Sequence, residues 1–382
     1  MRRPIAIFAA GLVIRLVALA YLAHVMPQML SWGFNEAGGI ARWIVTKHAF
    51  SSPFHDAQGP TAWLAPVYPL IVASIFLVFG VQTPASAVAV MVFNAVCSAA
   101  TGVIVYQIGK EIHSDKAGLF AGWLWAFSPP TAILPFIPWD TSLSALILSA
   151  ALLMVLRLQS GKSDGWTACG ATWGVAALVN PALLVPLPVL ALLLTEWRKR
   201  WRSALIMMGV AALVILPWTV RNYVVFQRIM LVRSNGLAEV YFGNCGFDTH
   251  PLGQSMEYQR LGEAEFTARA NTRAIEYIRT HPAAFLHNSI HRAMWFWIYP
   301  TNFWVLSVGI DIAASLGLIV VFKKSPKRAS MVLAILTIYP LIYYASQSVS
   351  RYRHPIDPVL YSLSGIAWCR LKAKQNERQT EA

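Results

Sequence analysis

Apolar runs of roughly 18–25 residues, separated by short basic loops, leave this chain few ways to fold. That length spans the hydrocarbon core of a bilayer as helix. In lipid, only helices and closed barrels satisfy every backbone N–H and C=O internally, and these runs lack the alternation of barrel strands. Composition agrees. Of 382 residues, 57% are apolar and 13% charged, about half the charged share of a soluble domain. The expected fold class is an all-α integral membrane protein with about 10–11 transmembrane helices. Ten spans are read at 4–26, 84–108, 117–136, 140–157, 165–178, 180–196, 203–220, 303–322, 329–347 and 356–371. An eleventh apolar piece covers 63–80 and holds Pro66 and Pro69.

The net charge of +14 does not point to nucleic acid, because the cations are scattered through short loops instead of gathered on one soluble module. They follow the positive-inside rule. Arg2/Arg3, Lys110/Lys116, Arg157/Lys162, Arg198–Arg202, Lys323–Arg328 and Lys372/Lys374/Arg378 all fall on one side only if 63–80 does not cross fully. The N-terminus is then cytoplasmic, in a multi-pass cell (inner) membrane protein. Residues 1–26 imitate a signal peptide, but the apolar stretch is long, contains Arg15 and lacks a small-residue cleavage pattern, so it reads as the first span. Cys97, Cys169, Cys245 and Cys369 show neither metal spacing nor a disulfide pairing. The expected organisation is a membrane catalytic module over 1–220, an extracytoplasmic segment over 221–302, and C-terminal helices with a cytoplasmic tail over 303–382.

Outer loops carry the residues with chemistry. In 27–62, Glu36 opens a short helix over 36–48 whose Ile40, Ala41 and Ile44 suit the membrane interface. A carboxylate there can act as a base, although an acid also simply suits a helix N-terminus. Asp56 follows in a polar turn. Asp140, between two apolar spans, reads either as a cap for the helix starting near Thr141 or as a second acid on the face that carries Glu36. Arg351 and Arg353 break the positive-inside pattern, and guanidinium forks suit phosphate; snorkelling or a pair with Asp357 is the plainer alternative. Arg221 is a similar case. In 221–302, Phe266, Ala270, Ala274, Tyr277 and Ile278 recur at helical spacing until His281-Pro282. Carboxylates and arginines around one rim beside lipid suit the transfer of a group from a membrane-bound phosphorylated donor to a hydroxyl.

Several stretches resemble, in order along the chain, stretches of a known family. They are Asn35-Glu36 to Trp43, Ala65-Pro66-Val67-Tyr68-Pro69-Leu70, Trp139-Asp140-Thr141, Asn180-Pro181, Pro217-Trp218-Thr219-Val220-Arg221-Asn222-Tyr223, Arg233-Ser234-Asn235-Gly236, Gly243-Asn244, His281-Pro282 and Arg351-Tyr352-Arg353-His354-Pro355. The set resembles the GT-C superfamily of membrane glycosyltransferases, specifically family 39 (protein mannosyltransferase and aminoarabinose transferase-like). The resemblance implies a catalytic first outer loop, a polyprenyl-phosphate sugar donor, and inversion at the sugar carbon by direct displacement on the outer face. It makes Glu36 the general base and Asp140 a helper that positions the acceptor or a metal. Arg351, Arg353 and Arg221 become phosphate binders, with Asn35, Arg42 and His55 supporting the first loop. The acceptor is a hydroxyl on a glycan, lipid or protein. No cofactor is demanded; the resemblance leaves room for a divalent cation and assigns it no ligands. Where the family begins its first motif with Asp, this chain has Asn35, so the base is Glu36, or Asp56, or the chain is silent; Glu36 is favoured. Two other classes compete: a transporter or flippase of a lipid-linked sugar, and a catalytically silent envelope scaffold.

Overall fold

The computed structural model describes residues 2–33, 35–54, 59–194, 200–245, 256–298 and 303–381. Among them the structure is helical, with one isolated antiparallel bridge between Ser51 and Pro60. Among the described residues six helices are long and apolar enough to cross a membrane: Arg2–Val25, Pro84–Ile112, Thr141–Gln159, Trp201–Phe226, Trp304–Lys324 and Pro326–Ala345. The helices Val67–Phe79 and Trp166–Val179 and the segment Pro181–Leu194 are apolar but shorter. The last helix begins at Asp357 and runs on to Glu381, well past the expected 371.

Three expected spans are not single helices: 180–196 divides into Pro181–Leu184 and Leu187–Leu194, 329–347 into Pro326–Ile338 and Leu341–Ala345, and 117–136 is broken most sharply. Residues 117–136 divide into Asp115–Phe127, Pro129–Ile133 and a 3-10 turn at Leu134–Phe136. Pro129 and Pro130 supply no N–H and end the first helix, which leaves its last carbonyls without intrahelical partners. Arg15, fully buried on the first helix, meets that need. It donates to Ala126 O at 3.4 Å, Trp125 O at 3.5 Å and Thr131 Oγ1 at 3.2 Å, and is anchored by Ser98 Oγ at 2.9 Å and Gly11 O at 2.8 Å. An arginine amid apolar residues here mends a broken helix.

The basic loops gather at one end of the bundle. Asp115 pairs with Arg3 and Lys110, Glu111 with Lys162, and Arg328 donates to Glu111 O at 2.8 Å and to Gln159 at 3.2 Å. Arg200 donates to Leu158 O at 3.1 Å. Pro84–Ile112, about 43 Å long at 1.5 Å per residue, runs from that end to the opposite one, where Thr83 and Ser86 accept the Trp32 indole at 3.2 and 3.1 Å. The 63–80 piece stays at this second end. Before the helix Val67–Phe79, Trp63 meets Glu36; inside it, Phe76 lies edge-on to Trp32 at 4.8 Å; after it comes Thr83. Its first turn meets Asn94 through Tyr68, at 3.3 Å, and its last turn meets Thr83, so it packs against the first third of the Pro84–Ile112 helix.

Candidate functional site

The site is assembled at the end away from the basic loops, and it starts with Asn35. Its extended backbone and its side chain, which accepts from Gly38 N at 2.7 Å, cap the helix Glu36–Lys47. The same amide donates to Pro138 O at 3.1 Å, which ties the first loop to the loop holding Asp140. Glu36 therefore stands in the first turn, 7% exposed, and accepts the Trp63 indole N–H on Oε1 at 3.1 Å. Its Oε2 has no protein donor among the described residues. The expectation that this helix lies on lipid by its Ile40 side is corrected: residues 36–41 are all buried inside the protein, because Ala37, Ile40 and Ala41 join a core with Trp32, Phe54, Trp63, Tyr258 and Phe266.

Asp140 sits at the N-cap position of Thr141–Gln159, but its side chain does not cap. It accepts from Ser144 Oγ at 3.1 Å and from Asn180 Nδ2 at 3.2 Å. Asn180 also caps the following turn through Ala182 N, so one amide both opens a helix and aims the aspartate. Burial pushes the Asp140 carboxyl above its ordinary range, and the guanidinium groups of Arg233 and Arg351 oppose that rise.

A third carboxylate was not singled out from the sequence. Glu239, on the helix Gly236–Asn244, accepts from Asn235 Nδ2 at 2.7 Å. Burial pushes it up to about 7; Arg233 pulls down, Glu36 adds to the rise, and Arg351 pulls down. Glu36, Asp140 and Glu239 thus share one electrostatic neighbourhood with Arg233 and Arg351. The helix carrying Glu239 is seated by Gly243, where a Cβ would come 1.9 Å from Ser346 O, and by Arg292, which donates to Gly243 O and Asn244 Oδ1, each at 2.9 Å.

The arginines divide into two kinds. Arg351 stacks over Trp139 at 4.2 Å, has no carboxylate within 4 Å among the described residues, and reaches toward Asp140 and Glu239. Among the described residues Arg233 spends only Nε, on Trp63 O at 2.8 Å and Asn235 Oδ1 at 3.1 Å, leaving both terminal nitrogens open. Arg353 is different. It holds Asp311 through Nη2 and Nη1 at 2.5 and 2.9 Å, Asp357 through Nε at 3.0 Å, and Trp297 O at 2.9 Å. The plainer alternative, a pair with Asp357, is what the structure contains. Arg221 is also committed, to Thr61 O at 2.7 Å and Phe50 O at 3.3 Å, with Trp218 beneath it at 4.8 Å. Both have guanidinium groups consumed by the protein, so neither offers a fork to phosphate. Arg42 lies over Trp43 at 4.6 Å, forms no ion pair, and its buried Nε has no partner among the described residues. His55 and Asp56 lie outside the described residues.

A buried latch, also missed from the sequence, holds these loops in place. Gly262, with φ of 73°, breaks the Met256–Thr280 helix, a backbone conformation open to glycine at little cost. The next residue, Glu263, accepts from Thr61 Oγ1, Ala62 N (2.7 Å), Ser234 Oγ (2.7 Å) and Tyr258 OH (3.1 Å). It thereby joins the loop carrying Trp63 to the loop carrying Arg233. Among the described residues no three His, Cys, Asp or Glu side chains gather as a metal-ligand set.

The profile of the dolichyl-phosphate-mannose-protein mannosyltransferase family matches residues 60–220. No curated protein matches by sequence. Among solved structures, the apo Archaeoglobus fulgidus oligosaccharyltransferase superposes with a TM-score of 0.62 at 15% identity, over 99% of this chain and 51% of that one. ArnT from Cupriavidus metallidurans bound to undecaprenyl phosphate gives 0.56 at 15%, over 96% of this chain and 60% of that one. The chain has the GT-C fold. This GT-C chain spans about half the length of the oligosaccharyltransferase. That relative is also solved in complex with Zn and sulfate, with a TM-score of 0.60 at 13% identity, over 97% of this chain and 50% of that one. The 60–220 match contains Trp63, Asp140 and Asn180; Glu36, Arg233, Glu239 and Arg351 join them only through the fold.

Proposed function

We propose that this chain is an inverting glycosyltransferase that moves a sugar from a polyprenyl-phosphate donor to a hydroxyl acceptor on the extracytoplasmic face of the membrane. The observation that carries the reading is the meeting of three carboxylates with two open guanidinium groups at one end of a GT-C bundle. The undecaprenyl phosphate named for ArnT supports the donor class, and the gathering of basic loops at the opposite end supports the outer face.

Glu36 takes the proton from the acceptor hydroxyl as its oxygen bonds to the anomeric carbon. The bond from that carbon to the phosphate oxygen breaks, and polyprenyl phosphate leaves with the electron pair. Arg351 and Arg233 stabilise the charge on the departing phosphate, the second taking the place first expected of Arg353 and Arg221. Asp140, fixed by Asn180 and Ser144, orients the acceptor. A divalent cation, the metal class present in the oligosaccharyltransferase complex, would add phosphate charge neutralisation; every role above belongs to the chain's own residues.

The test is release of polyprenyl phosphate in liposomes from a panel of radiolabelled polyprenyl-phosphate sugars and hydroxyl acceptors, with wild type beside Glu36→Gln. Release by wild type alone is the expected result. Full release by a folded Glu36→Gln protein removes Glu36 as the base, and no release by wild type across the panel refutes the transferase.

A further inference from the structure

The basic end of the bundle holds a cleft of about 700 Å³, lined by Arg2, Arg3, Lys110, Arg157 and Lys162 among its cations. Its two carboxylates are already engaged. Asp115 is held by Arg3 and Lys110 with a 2.7 Å bond from Tyr106 OH, and Glu111 by Lys162 at 2.8 Å with Arg328 at 3.8 Å. Five cations face two carboxylates, a net of +3 within the lining. Arg2 and Arg157 meet no carboxylate within 4 Å among the described residues, and both are exposed; Arg157 has only the Gln107 amide oxygen, at 2.7 Å. Such a surplus around a concave opening attracts an anion.

The cleft does not end at its charges. Its floor is the Pro84–Ile112 helix, and Gln107 and Lys110 belong to an outward stripe of that helix. Val96, Ala100, Val103, Gln107 and Lys110 follow one another at steps of three and four residues, so they share one face, and each is partly or fully exposed. Read from the cleft, that stripe turns from cationic to polar to purely apolar. A cationic head site opening onto an apolar track fits a molecule with an anionic head and hydrocarbon tails.

We propose that this cleft binds an anionic glycerophospholipid, with its phosphate between Arg2 and Arg157 and an acyl chain along the Val96–Val103 stripe. The site is at the far end of the bundle from Glu36 and is separate from the donor site. Near-surface cations contribute about fivefold each to anionic-lipid binding, so removing two weakens binding by about 25-fold.

The experiment is native mass spectrometry of the full chain in detergent, titrated with phosphatidylglycerol or phosphatidylcholine of the same chain length. Preferential retention of phosphatidylglycerol by wild type is expected, with a loss of about 25-fold in Arg2→Gln/Arg157→Gln. Neither substitution strips a partner from a carboxylate, and Arg2→Lys/Arg157→Lys controls for folding by keeping both charges and the binding. Ala100→Trp leaves the cations intact and blocks the track, and should also weaken phosphatidylglycerol. Equal retention of the two lipids, or phosphatidylglycerol binding unchanged in the glutamine double variant, overturns the site. Displacement by millimolar inorganic phosphate, or indifference to Ala100→Trp, overturns the lipid in favour of a free anion.

Discussion

Arg353 and Arg351 are two residues apart and look interchangeable in sequence, so substituting each to glutamine separates a structural role from a functional one. Arg353 serves two carboxylates at once, bonding Asp311 twice and Asp357 once. The three side chains are only 10%, 21% and 15% exposed. Breaking a buried ion pair from one side leaves the partner charge uncompensated, at a cost of about 3–5 kcal/mol. Even about 3 kcal/mol lowers the ratio of folded to unfolded protein by more than roughly 100-fold. Arg351 has no such obligations. Its stacking on Trp139 is worth about 0.5–1 kcal/mol, so Arg351→Gln should remain folded and lose transfer. The assay is thermal unfolding in detergent, read by a thiol-reactive dye and by recovery from size exclusion. Adding Asp311→Asn to Arg353→Gln removes one orphaned charge and should return part of the loss, since the two residues are in contact and their effects do not add. If Arg353→Gln melts beside Arg351→Gln, or if Asp311→Asn makes it worse, the ion-pair account of Arg353 is wrong.

Three further outcomes follow from the same geometry. Asn35→Asp puts a second acid beside Glu36 but replaces the N–H donor to Pro138 O with a carboxylate facing a carbonyl; activity should fall severalfold while helix capping persists, and a gain in turnover would contradict the role given to that amide. Gly243→Ala places a Cβ against the Ser346 backbone at 1.9 Å, so it should lower both the melting temperature and transfer, whereas Gly236→Ala, with open space around it, should not. Glu239 has a folded pKa near 7, above the ordinary 4.5, so the folded state binds more protons than the unfolded one between those values. Its contribution to stability therefore declines as pH rises from about 4.5 to 7, by up to about 3 kcal/mol. Glu239→Gln should gain on wild type at pH 8 relative to pH 5, and parallel melting curves at the two pH values would refute the burial argument.

The membrane character, the helical class and the short helix at Glu36 were legible in the sequence, because they depend on local quantities: run length, polarity and capping. Asn180 marks its element boundary by chain-local chemistry; the proline pair at 129–130 does the same, yet the expected span 117–136 ran through it, because run length outweighed the breaker. The reading that 63–80 does not cross fully rests on the counting of charged loops, a property of the whole chain that needs no contacts. The site was legible only in part. Glu36 and Asp140 stood out as isolated acids beside apolar runs, and the fold brings them into one neighbourhood. Glu239 and Glu263 did not stand out, because they lie in the stretch of ordinary soluble composition, where an acid is unremarkable until its surroundings are known. Arg353 and Arg351 carry the same side chain in the same tetrapeptide. Only the packing of the Trp304–Lys324 helix, which brings Asp311 to one arginine and not the other, decided which is spent on the fold and which is open to a phosphate.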